Sequence, residues 1–286
     1  ISGSSIACAS TMGRICTPEM LRLNYDPRLA TASVAAGGTL GSLIPPSVLF
    51  IIYGIFTETS ISRLFLAGVL PGLLSLAGFL LVIYFWVRRN PEVAPRDNEP
   101  VTREARLQAA ISAWPALALF IMIVGGIYGG IFTATEAAAL SVSLAVVIGV
   151  VQKKLTWQGL WISLKETCIQ TSSIFIIAAG AKIFVAFVAL TGMAGSIADL
   201  ASGGMPMWVF LLALVLLYLV LGMFLDPIGI MVLTLPLVIP MVESFGLDLI
   251  WFGVVVVKLL EIGLITPPVG LNVFVISNVV GRDVSV

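Results

Sequence analysis

Residues 42–50 read SLIPPSVLF, and residues 264–272 read LITPPVGLN. Pro45 and Pro46 stand 222 residues before Pro267 and Pro268, and at that same offset Gly41 meets Gly263, Pro18 meets Pro240, Asp26 meets Asp248 and Ile6 meets Ile228. A single register held over that distance marks an internal repeat. Both double prolines sit inside apolar stretches. Proline removes a backbone donor and clashes with the carbonyl one turn earlier, so each copy is expected to hold a broken helix. Broken helices in matching positions of two halves point to the binding site of a secondary transporter. The alternative is a pair of ordinary proline kinks, which membrane helices tolerate.

Composition sets the class. Hydrophobic residues make up 59% of the chain and charged residues 10%, against about 25% charged in soluble domains. Mean hydropathy is +1.11. The reading is an all-α integral membrane protein, folded in a lipid bilayer. Formal net charge is zero, which suggests no nucleic-acid partner. With no His in 286 residues, His-based catalysis and haem ligation lose their usual residue. Cys8, Cys16 and Cys168 show no metal-ligand or disulfide spacing.

A span needs about 20 apolar residues. Residues 65–87, 109–131, 134–151 and 167–190 qualify as continuous spans, and 31–56 and 252–280 carry the double prolines. Residues 206–242 are different. They are apolar but interrupted by Gly222, Asp226 and Pro227, and each half is short for a span. That pattern predicts a re-entrant hairpin with its tip at depth; two spans joined by an external turn is the alternative. Through the register, residues 3–5 correspond to 225–227. The chain is therefore expected to begin at the tip of an equivalent first hairpin and to lack its ingoing arm and a final span. Five Arg in 88–106, together with Lys153, Lys154 and Lys165, mark the cytoplasmic side. The segments 129–135, 191–205 and 243–251 hold no Lys or Arg. The two hairpins then open to opposite faces. This gives four parts: 1–87 as the remainder of a first inverted repeat, 88–106 as a cytoplasmic linker, 107–190 as scaffold helices, and 191–286 as the second hairpin and second broken helix.

The chemistry must come from few groups. A sodium ion takes oxygen ligands, as other hard cations do, and unwound helices supply carbonyls. The first break offers Gly41, Ile44 and Pro45, faced by Ser2, Ser4 and Ser5. The second offers Gly222, Gly263, Thr266 and Pro267. Asp226 is either an ion ligand or, with Pro227 at the first helical position, an N-cap; capping is the favoured reading. Lys258 and Glu261, three apart, are expected to pair on one helix face. Lys182 has no neighbour in sequence and is a candidate for attracting an anionic substrate. Thr133 and Glu136 have capping-box spacing.

GTLGSLIPPS at 38–47, FTATEAAA at 132–139, the stretch 222–240 and GLITPPVG at 263–270 resemble, in that order, the large membrane subunit of TRAP (tripartite ATP-independent periplasmic) transporters. The resemblance covers essentially the whole chain. It implies sodium-driven import of organic acids, typically C4-dicarboxylates, sialic acid or other carboxylates, in a bacterial or archaeal inner membrane. It implies two partners, a small four-helix membrane subunit and a periplasmic substrate-binding protein. It also implies an elevator, in which a domain of hairpins and broken helices slides against a scaffold. The sodium positions it carries over fall on the first hairpin tip with residues 41–45, and on Gly222 with residues 263–267. Measured against the family, the chain is expected to lack the first third and the last span, and such a fragment alone is not expected to transport.

A related inverted-hairpin carrier working without a binding protein is the nearest alternative. An intramembrane aspartyl enzyme would need two carboxylates sharing a site, and Asp226 has no evident second partner. The reading is therefore not an enzyme. A purely structural scaffold would not need two broken helices.

Overall fold

The computed structural model describes residues 3–95, 102–193, 195 and 204–280. These are helical, with no strand among them. The helices in chain order are α1 (Ser5–Arg22), α2 (Pro27–Leu43), α3 (Val48–Thr57), α4 (Ile61–Arg89), α5 (Arg103–Ser112), α6 (Trp114–Tyr128), α7 (Ala134–Val151), α8 (Trp157–Thr191), α9 (Met207–Gly222), α10 (Pro227–Ser244), α11 (Leu249–Ile265) and α12 (Leu271–Val280). Five helical stretches among the described residues are long and apolar enough to cross a bilayer, six if α5 and α6 count as one bent span. On α4, α7 and α8 most of the apolar side chains face outward, as Leu66, Leu70, Leu74 and Val82 do on α4. In water that surface would be a liability; in lipid it is the solvated face. This is a multi-pass membrane protein.

The repeat reappears in the helix boundaries. α1 and α10 start and stop at the same register positions, as do α2 and α11. The caps repeat as well. Asp26 accepts the Arg28 N–H at 2.7 Å at the head of α2, and Asp248 accepts the Trp251 N–H at 2.8 Å at the head of α11. Each satisfies one of the orphan donors of a helix start. Both proline pairs end a helix: α2 stops at Leu43 before Pro45 and α11 at Ile265 before Pro267. In both, the bond between the two prolines is cis.

Two compact units divide the chain, one made of residues 1–98 and 188–286, the other of 99–187. In the first, α11 is the central element, packed on α2, α3, α4, α9, α10 and α12. The repeats interlock: α3 of the first copy lies on α10 of the second, and α12 of the second lies on α1 of the first. Polar threads cross with them. The Tyr53 hydroxyl donates to the Leu249 carbonyl at 2.7 Å, and Asn272 Nδ2 donates to Ser5 Oγ at 2.7 Å. The start of the linker is fastened to this unit, since the Asp26 N–H donates to the Val93 carbonyl at 2.9 Å.

The second unit corrects two spans. The expected span at 109–131 is two helices bent by 46°. Pro115 stands at the start of α6, where it lacks the donor and has the bulk that stop α5 from running on. The expected span at 167–190 begins ten residues earlier, because residues 157–166 continue α8 instead of forming a loop. α7 runs over the expected 134–151 and carries its capping box, with Thr133 Oγ1 accepting the Glu136 N–H and Glu136 Oε2 accepting the Thr133 N–H. In the first unit α9 has 16 residues, short for a span. α10 continues to Ser244, so at 18 residues it is long and apolar enough to cross a bilayer, where the stretch ending at 242 was expected to be short for a span.

Candidate functional site

The two helix starts that the register pairs, α1 and α10, face one cleft. It is lined by Ser4 and Ser5 from the first, Asp226 and Ile228 from the second, and Ser42 and Glu261 from α2 and α11, among others. Its volume is about 60 Å³, room for a few water-sized groups.

The first helix start is held against the first break. Gly3, at φ +71°, accepts the Val48 N–H at 2.9 Å, and a Cβ there would lie 3.0 Å from the Pro46 carbonyl oxygen. Glycine is needed on both counts, left-handed backbone and close approach. Ser4 is the N-cap of α1, but its side chain makes no capping bond. At the second start Asp226 is the cap, as favoured from sequence: Oδ2 accepts the N–H groups of Ile228 at 3.0 Å and Gly229 at 3.3 Å. The two starts are therefore unlike. α10 carries its own counter-charge, whereas the first turn of α1 presents N–H groups with no side-chain cap.

The breaks free carbonyls. Pro45 and Pro46 cannot donate to Gly41 and Ser42, nor Pro267 and Pro268 to Gly263 and Leu264. The Gly263 carbonyl instead accepts the Thr266 N–H at 3.1 Å, and Thr266 Oγ1 donates to the Ile262 carbonyl at 2.6 Å. That spends the hydroxyl proton and leaves its lone pairs. Ile44 and Thr266 both close their helices in extended conformation. Gly222 and Gly263 touch through their backbones: a Cβ on Gly263 would come 2.6 Å from Gly222 Cα. Gly41 lies beside Ser4, whose carbonyl oxygen would be 3.6 Å from an added Cβ.

The structure thus brings Ser4, Ser5 and Asp226 to the cleft, gathers Gly222, Gly263 and Thr266 at the second break, and sets Gly41, Ile44 and Pro45 at the first. Ser2 lies outside the described residues. Lys182 belongs to the other unit, where its side chain is exposed.

One expectation fails. Lys258 and Glu261 do not form the ion pair; among the described residues the only close pair is Arg22 with Glu19. The Lys258 ammonium sits over the Phe79 ring, 5.7 Å from its centroid. The Glu261 side chain is fully buried. The helical turn explains the split, because α11 is packed on nearly every side and 258 and 261 meet different neighbours. Ser5, Ser42 and Lys258 lie close enough to the carboxyl to interact with it, yet neither oxygen completes a hydrogen bond. Ser42, Glu261 and Asn272 are the polar groups missed from sequence. An acidic residue in a helix, Leu249–Ile265, whose other residues are apolar apart from Lys258 was the available signal for Glu261; i,i+3 pairing masked it. Ser42 and Asn272 gave none.

The family described as "Tripartite ATP-independent periplasmic transporter, DctM component" matches residues 1–286. The chain belongs to the DctM family. It is 36% identical over 283 residues to the C4-dicarboxylate TRAP transporter large permease protein DctM of Pseudomonas aeruginosa, covering 98% of this chain and 66% of that protein. It is 35% identical over 287 residues to the sialic acid TRAP transporter large permease protein SiaM of Vibrio cholerae, covering 98% and 65%. It is 32% identical over 282 residues to the 2,3-diketo-L-gulonate TRAP transporter large permease protein YiaN of Escherichia coli, again covering 98% and 65%. The chain spans just under two thirds of the length of these DctM relatives.

Proposed function

We propose that the chain is the greater part of a large permease subunit that imports an organic carboxylate, driven by sodium, through a bacterial or archaeal inner membrane. Its partners in this reading are a small four-helix membrane subunit and a periplasmic substrate-binding protein. The observation that carries the reading is the single cleft faced by two register-related helix starts. Helix N-termini attract anions, and with the α10 start already capped by Asp226, the start of α1 supplies most of the field. The printed substrates of these three relatives, C4-dicarboxylates, sialic acid and 2,3-diketo-L-gulonate, are carboxylates, and that of a fourth, isethionate, is a sulfonate; all are organic anions, which suits such a cleft. Sodium is held at each break by freed carbonyls, with Gly41, Ile44 and Pro45 at one and Gly263, Thr266 and Pro267 at the other. α1, as the outgoing arm of the first hairpin, and the pair α9–α10 act as re-entrant arms of an elevator beside the broken helices α2–α3 and α11–α12, and the bound ions order their tips before the anion enters.

The test is uptake of labelled carboxylates by the whole transporter in proteoliposomes, with binding protein, in sodium and in choline. Uptake that needs both sodium and binding protein is the expected result. Equal uptake in choline removes the coupling ion from the proposal. Uptake without a binding protein favours instead an independent carrier of related fold.

Thr266 gives a finer test. Thr266→Val keeps the shape and deletes the oxygen. The sodium concentration for half-maximal uptake is expected to rise about fivefold, the worth of one ordinary polar contact. An unchanged value takes the side chain out of the ion's shell and leaves the backbone carbonyls as its ligands.

A further inference from the structure

Three buried oxygens in this fold have no hydrogen-bond partner and lie on residues that line the same cleft: Oε1 and Oε2 of Glu261 and Oγ of Ser42. They come from α11 and α2, one from each copy of the repeat. Buried acceptors without donors are costly, and most folds pair them. Lys258 is near enough to Glu261 to act on it through space but makes no close ion pair with it, its ammonium sitting over the Phe79 ring. Ser5 and Ser42 lie beside the Glu261 carboxyl, and Ser5 Oγ accepts from Asn272 Nδ2, a bond that does not use its hydroxyl proton. Among the described residues, those lining the cleft include two carboxyl groups, Glu261 and Asp226, and no Lys or Arg. When these carboxyls are ionised, an anion entering the cleft meets repulsion from them, and the start of α1 opposes it.

We propose that Glu261 and Ser42 are ligands of a monovalent cation bound in this cleft, which shares the space with the transported carboxylate and is distinct from the carbonyl sites at the two proline breaks. The cation takes the Glu261 carboxylate oxygens and Ser42 Oγ on one side. Its remaining positions face the cleft, where water or a substrate carboxylate oxygen completes the shell, as hard cations require of oxygen donors. Occupancy neutralises the acidic wall, so the anion binds only after the cation. Coupling then arises at the point of substrate contact as well as at the breaks. The proposal rests on the ion-driven import set out above, and names sodium as the cation on that basis.

The experiment uses the whole permease with its small subunit, purified in detergent and also reconstituted. Glu261→Gln keeps the side chain's shape and removes its charge. Thermal unfolding is followed against sodium chloride, with choline chloride holding ionic strength constant. Sodium should stabilise the wild type, and the concentration for half the stabilising effect should rise about tenfold or more in Glu261→Gln, as loss of a charged ligand predicts. Half-saturation of uptake should rise in parallel. Ser42→Ala should shift the same two readings by a smaller factor, and it decides the matter if Glu261→Gln fails to fold. Sodium curves that coincide with wild type in the folded variants overturn the site. So does a variant that changes only the pH profile of uptake, which would make Glu261 a proton carrier. If sodium stabilises the wild type through Glu261 but uptake proceeds equally in choline, the site stands and sodium-driven import falls.

Discussion

Gly263→Val is expected to be among the most damaging single changes in this chain. The added Cβ would come 2.6 Å from Gly222 Cα and 2.7 Å from its carbonyl carbon. Those are backbone atoms and cannot swing aside, so α9 and α11 must move apart. Overpacking of this kind costs about 3 kcal/mol, and the displaced segment is the one that ends at the second break. Heating the purified complex in steps and following the monodisperse fraction should show a clear loss for the variant. Gly229→Ala is the matched control, because nothing lies within 4 Å of its added Cβ. On helix propensity it should be neutral or gain up to about 1 kcal/mol. Wild-type stability for Gly263→Val would mean the α9–α11 contact is looser than described.

The second large effect is expected at Tyr53. The ring is fully buried, meets Phe252 edge-on at 6.3 Å between centroids, and presses on Gly253, where an added Cβ would lie 2.6 Å from Tyr53 Cε1. Its hydroxyl donates to Leu249. Tyr53→Ala deletes a large core ring and should cost about 3 to 5 kcal/mol. Tyr53→Phe removes the hydroxyl alone and should cost about 1 kcal/mol. Measured on one denaturation scale, the two separate packing from the polar thread. Equal losses would assign the whole contribution to the hydrogen bond.

Much of the fold could be read from one offset. Proline spacing is a local signal, so the breaks at Pro45 and Pro267 followed directly; the starts of α2 and α11 lie ahead of the expected 31 and 252, at Pro27 and Leu249, where Asp26 and Asp248 cap them. The bend before α6 was hidden because Pro115 sits in an unbroken apolar run, and hydropathy does not register a missing donor. The extra turns of α8 were hidden for the opposite reason: Lys165 and Glu166 look like loop residues, though nothing in them stops a helix. Among the site residues, Asp226 was legible because Asp-Pro names its own geometry. Glu261 was not, because its surroundings are set by residues from four other helices. Pairing it with Lys258 used the nearest opposite charge in sequence, and the packing around α11 sends the two side chains to different neighbours.

The crossing of the repeats has a consequence for how the protein is made. Tyr53 is synthesised nearly 200 residues before Leu249, and Ser5 still longer before Asn272. While the ribosome is working through the interval, the first copy sits in the membrane with α3 lacking α10 and α1 lacking α12. Its small and polar surfaces are open to wrong neighbours during that time. Contacts so distant in sequence form late and slow assembly, and half-built chains of this kind are the ones prone to misassembly. Insertion of the early helices can proceed as they emerge, but maturation of the cleft must wait for α11 and α12.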